Sequence, residues 1–151
     1  MVALNAADFG NFITHPLMKP PGLPGATNCS EETPVFLKDG VSINSSSGVV
    51  SFFGMYLNSK WQFDLQRGSD GARALITARL AESGTFDFDE EKIAAGLTEA
   101  TSRFFNDMVF ELDGTFLSFR DMMVTDKGKD TSVMLALNII VKKFPSPGLE
   151  F

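Results

Sequence analysis

Three stretches of this chain are apolar on both faces of a strand pattern: residues 49–57, 116–124 and 133–141. Nothing else in the sequence limits the fold as much. A strand turns successive side chains to opposite faces. An antiparallel strand with one face in water therefore alternates apolar and polar residues. The run from Lys60 to Leu65 does so, with Trp61, Phe63 and Leu65 on one side and Lys60, Gln62 and Asp64 on the other. The run just before it does not. Val49, Phe53, Met55 and Leu57 are apolar, and so are Val50, Phe52 and Tyr56 between them. The second apolar face of such a strand needs a cover of its own.

The rest of the chain supplies the frame around these strands. Leu4, Phe9, Phe12 and Ile13 fall near helical spacing, which predicts a short helix over 4–13 with Asn5 or Asp8 at its cap. His15-Pro16 ends it, because the residue before proline is pushed out of the α region. Residues 16–34 contain five prolines and two glycines and read as an extended loop, with Leu17, Met18 and Leu23 available to press on a partner. VFLKDGVSIN predicts a hairpin turning at Asp39-Gly40. Residues 49–57 and 60–67 give two strands, or one strand kinked near Asn58-Ser59. Ala74, Ile76, Ala78 and Leu80 form the inward side of the next. A longer helix follows at about 89–106, capped by Asp87 or Asp89, with Ile93, Leu97, Ala100, Phe104 and Met108 as its apolar stripe. Asp113-Gly114 and Lys127-Gly128 then turn a meander of three strands.

These elements predict an α+β fold. It is a curved antiparallel sheet of about six to seven strands packed on one long helix, with a short N-terminal helix, in one domain over residues 1–151. A chain of this length can bury roughly 68–70% of its unfolded surface without disulfides or metal.

Composition narrows the function classes. The net charge of −6 argues against a broad phosphate-binding surface, so no nucleic-acid partner is expected. The longest apolar run, MLALNIIV, is far short of the ~20 residues that span a bilayer. Cys29 is the only cysteine, which excludes an intrachain disulfide and suits a reducing compartment without requiring one. His15 is the only histidine, so a His/Cys zinc cluster fails by counting. Asp87, Asp89, Glu90 and Glu91 sit where a helix N-terminus favours acids, and their spacing matches no calcium loop. No phosphate-cradling glycine motif and no nucleophile elbow occurs. The expectation is therefore a protein without cofactor, metal or catalytic residues. A small carboxylate enzyme using Asp87 to Glu91 ranks below the binding readings.

Three covers can meet the second apolar face: the chain's own helix and loops, a bound apolar ligand, or another protein. Fifteen phenylalanines against one tyrosine and one tryptophan favour fully apolar surroundings. Met55, Met108, Met122, Met123 and Met134 lie in or beside strands and would make an adaptable wall. The ligand reading places Phe52, Met55, Phe104, Met122, Leu137 and Ile139 around an apolar cleft between sheet and helix. Phe52 and Met55 share a face only if Gly54 marks a bulge. The alternative is an accessory subunit that docks on a larger assembly through its apolar face and the proline-rich loop.

LNAADFGNFITHPLM, residues 4 to 18, resembles the helix that precedes a β-meander in the LmeA-like phospholipid-binding family of bacteria, cyanobacteria and plastids. VFLKDGVSI, GARALITARLAESG and FELDGTFLSFRDMMV are similar to strands of that family. Phe9, Gly10 and His15 stand where the family has Leu, Asn and Ser. The resemblance implies a non-enzymatic, β-rich protein that holds or carries a lipid.

Overall fold

The computed structural model describes residues 2–15, 34–68, 74–84, 87–112, 115–127 and 130–140. Among the described residues the architecture is α+β, with two helices and strands that pair antiparallel. The strands divide between two sheets rather than forming one. The first sheet contains β2 (Val35–Phe36), β3 (Ser42–Asn44), β4 (Val49–Tyr56), β5 (Ser59–Arg67) and β6 (Ala74–Glu82). The second runs in the order β1 (Val2–Leu4), β9 (Asp130–Ile140), β8 (Thr115–Lys127), β7 (Val109–Leu112). The helices are α1 (Ala6–Ile13) and α2 (Glu90–Asp107).

Each helix begins at one of the two caps the sequence offers, Asn5 and Asp89, while Leu4, expected inside the first helix, lies in β1. The Asn5 side chain accepts from Asp8 N at 2.8 Å, and that of Asp89 accepts from Lys92 N at 3.3 Å. Each satisfies one of the orphan donors that open a helix. The buried stripe of α2 is Ile93, Leu97, Thr101 and Phe105. Ala100 and Phe104, expected in it, lie beside it and are only partly buried. Thr101 can sit in an apolar stripe because its hydroxyl donates back to Leu97 O.

The expected hairpin over 35–44 does not form. β2 and β3 pair end to end with the same edge of β4, Phe36 opposite Gly54 and Ile43 opposite Val50. Asp39-Gly40, with Gly40 at φ +87°, carries the chain between them. The link is held by α1. Gly10 lies so close to Lys38 O that a Cβ there would stand 2.2 Å away. The hairpin that does form joins β4 to β5 through Leu57 and Asn58, both at positive φ. Leucine is a poor residue for that conformation, which favours Gly, Asn or Asp. Its side chain is buried, and Ser59 locks the turn by donating to Leu57 O and accepting from Gly84 N.

The core lies between the two sheets and the helices. From the first sheet come Val50, Phe52, Tyr56, Trp61, Phe63, Leu65, Ile76 and Ala78; from the second, Phe119, Met122, Val133 and Leu135. Phe52 stacks on Phe63 with ring centres 5.5 Å apart, and Phe9 and Phe36 close on Phe52 from the sides. Phe105 of α2 meets Phe119 of β8 edge-on at 4.9 Å.

One edge of the first sheet is sealed by side chains. α2 runs antiparallel to β6 and presents Thr98, Ser102 and Asn106 to it. Ala78 N donates to Thr98 Oγ1; Ile76 N donates to Ser102 Oγ, which donates back to Ile76 O; Asn106 Nδ2 donates to Ala74 O. Four helical residues rise about 6.0 Å and two strand residues about 6.6–6.8 Å, so the two ladders stay in step over three rungs. Bare strand edges attract other chains, and cover by a helix is one of the ways proteins manage them.

Candidate functional site

The stretches that read as two-faced resolve in different ways. β4 is an ordinary one-sided strand: Val50, Phe52, Gly54 and Tyr56 point inward, Val49, Ser51, Phe53 and Met55 outward. Its register against β5 is unbroken through Gly54, so no bulge exists there. Phe52 and Met55 are consequently on opposite faces. The outward face carries Val49, Phe53 and Met55 of β4 beside the polar Lys60, Gln62 and Asp64 of β5. Asp64 accepts from Ser51 Oγ and Gln62 Nε2, and the Lys60 ammonium stands 4.5 Å over the Phe53 ring.

β8 does contain a bulge. Phe119 pairs with Leu137 and Asp121 with Ala136, so Arg120 is an extra residue. The inward set is Leu117 and Phe119 before it, and Met122 and Val124 after it. The bulge thus turns an apparently double-sided run into one inward face that changes parity. Met123, 49% exposed, faces outward opposite Met134.

Just past this bulge on β8 lies an open cleft. It has a volume of about 260 Å³ and lies where the end of β5 and the β3–β4 turn meet β8, lined by Ser47, Gly48, Gln66, Arg67, Met122, Met123 and Val124. A smaller depression of about 60 Å³ adjoins it, where Met134, Ala136 and Asp121 join Arg67, Met122 and Met123. Methionine is unbranched and polarizable, so a wall of three can reshape around an apolar guest. At the rim the Arg67 guanidinium grips Asp121 with two parallel bonds of 3.0 and 2.7 Å. That fork joins the two sheets across solvent-exposed ground, and Asp121 also accepts from Met122 N.

The residues expected to line one cleft between sheet and helix do not converge. Phe52 is fully buried among Phe9, Phe36 and Phe63, in packed core. Met55 is on the far face of the first sheet. Phe104 lies on the flank of α2, partly buried against the core. Leu137 is partly buried opposite Phe119, and Ile139, on the same face of β9, is 70% exposed. Met122 alone lines the cleft described above. Leu17, Met18 and Leu23 fall outside the described residues. Arg67, Asp121, Met123 and Met134 were not among the expected residues. Their signal was the Met122-Met123 pair beside Arg120-Asp121, where the apolar alternation slips by one.

Among the described residues no cluster of three or more His, Cys, Asp or Glu side chains could hold a metal ion. No described helix is long and apolar enough to cross a membrane. No protein-family model matches the chain, and no curated protein or solved structure is similar to it.

Proposed function

We propose that this chain binds a lipid or other hydrophobic molecule without catalysis, and that the methionine cleft is where it does so. The observation that carries the reading is the grouping of Met122, Met123 and Met134 with Val124 and Ala136 around an open cleft and its adjoining depression. A volume of about 260 Å³ is just below the ~300–1,000 Å³ of small-molecule pockets. It suits one segment of an acyl chain rather than a whole lipid, with the headgroup left at the polar rim of Gln66, Arg67 and Ser47.

The seven methionines make the test direct. Carbon-13 labelling of their methyl groups gives one resonance per residue. Titration with laurate should move Met122, Met123 and Met134 and leave Met55, on the opposite side of the first sheet, in place. Met123→Lys should abolish the shifts without unfolding the protein, since Met123 is half in water already. Shifts at every methyl, or at none, count against the reading.

A second reading has its own observation. Val109, 54% exposed, faces outward on the same sheet as Met123 and Met134, a second exposed apolar residue separated from them by Ser118, Asn138 and Asp121. This favours docking of the chain on a larger assembly. Lipid found by mass spectrometry in the purified monomer supports the first reading. An empty chain that aggregates until a partner protein is added supports the second.

A further inference from the structure

Among the described residues one edge of β9 is free beyond β1, and we propose that two copies of this chain pair there, antiparallel, through residues 136–140. β1 covers only residues 133–135 of β9, opposite Leu4, Met134's partner Ala3, and Val2. Beyond it no described strand lies beside β9 on that side. The uncovered segment reads Ala-Leu-Asn-Ile-Ile. It has no charge and no proline, two of the devices that keep strand edges apart; the bulge at Arg120 lies on β8, opposite Leu137 and Ala136. The edge of β6, by contrast, is sealed by Thr98, Ser102 and Asn106 of α2. Asn138 is exposed, and Ile139 is 70% exposed although it shares a face with the buried Leu117.

The occupant follows from the order of the residues. A two-fold axis through Asn138, perpendicular to the sheet, sets Leu137 of each copy opposite Ile139 of the other on the inward face. Ala136 then meets Ile140 on the outward face, and the two Asn138 side chains meet each other. Every apolar residue finds an apolar partner, as an isologous contact requires. β1 also limits the overlap: a longer pairing in this register, or a register centred nearer β1, drives the second copy into Val2–Leu4. Five paired residues bury little surface, so the dimer is weak and depends on concentration.

The register is tested by cross-linking and sedimentation. In a Cys29→Ser background, Asn138→Cys should oxidise to a disulfide-linked dimer, because residues on the two-fold face each other at about 4.5–5.5 Å between Cα atoms. Thr77→Cys, on the outward face of the first sheet, should not. Ile139→Lys should weaken the dimer about tenfold or more, since each lysine would be desolvated against leucine. Its far-UV circular dichroism should match the parent. The proposal is overturned by a chain that sediments as a monomer up to about 1 mM, with Asn138→Cys cross-linking no faster than Thr77→Cys. A dimer untouched by Ile139→Lys overturns it as well, by placing the contact elsewhere.

Discussion

Replacing Ser102 by alanine should cost far more than an exposed-looking helical serine suggests. Its hydroxyl satisfies both the N–H and the C=O of Ile76 on the edge of β6, at 2.9 and 3.0 Å. An orphaned backbone group costs about 1–3 kcal/mol when fully buried. Ser102 is only partly buried, so water can reach the gap from one side, and about 1 kcal/mol for each group is appropriate. The sum is about 2 kcal/mol. Alanine is the better helix former, which returns roughly 0.5 kcal/mol. The net loss is then about 1.5 kcal/mol, or about 3–6 °C in Tm for a chain of this size. Urea unfolding at 25 °C measures the free energy, with an unchanged m-value expected. Native-state hydrogen exchange measures the location: the Ile76 amide should lose protection before its neighbours on β5. A variant within about 0.5 kcal/mol of the parent, the scatter of ordinary surface changes, would refute the idea that α2 seals this edge.

Thr98→Val keeps the shape and removes one acceptor, so it should cost about 1 kcal/mol and expose the Ala78 amide alone. Gly10→Ala should destabilise by about 1–3 kcal/mol in the same urea assay, because its Cβ meets Lys38 O and backbone must move. Phe52→Ala, between the rings of Phe9, Phe36 and Phe63, should cost about 3–5 kcal/mol. A double-mutant cycle on Arg67→Ala and Asp121→Ala should give a coupling of only about 0.5–1 kcal/mol. With Arg67 62% exposed, it should shrink in 1 M salt as screening shortens to about 3 Å; a salt-independent coupling would contradict the exposed geometry.

Much of the frame was legible. Asn5 and Asp89 announced their helices, Ala74, Ile76 and Ala78 their buried face, and Asp113-Gly114 separated β7 from β8, because caps, alternation and turn residues are local signals. What escaped is non-local. Asp39-Gly40 carried a hairpin signal, yet β2 and β3 found β4 a better partner than each other. Leu57-Asn58 carries no glycine, and its turn is held instead by the distant Gly84 through Ser59. The candidate site escaped for a related reason. Arg67 and Asp121 are 54 residues apart, and nothing near either predicts the fork between them. The bulge at Arg120 was written locally, as the parity change from Leu117 and Phe119 to Met122 and Val124. Read as strict alternation, those four residues imply a second greasy face; read with one inserted residue, they imply one face and a bend.

The pairing of Val2 with Leu135 has a consequence for how the protein is made. Of the described strands, the earliest in the chain is stitched to the latest. Through most of synthesis Val2, Ala3 and Leu4 must therefore wait, tethered to a nascent α1, while the β4–β6 meander can already close on itself. The second sheet is completed only after residues 133–135 clear the exit tunnel, at about 5–20 residues per second. A cotranslational pause placed just before β9 would lengthen the period in which the half-built second sheet stands open.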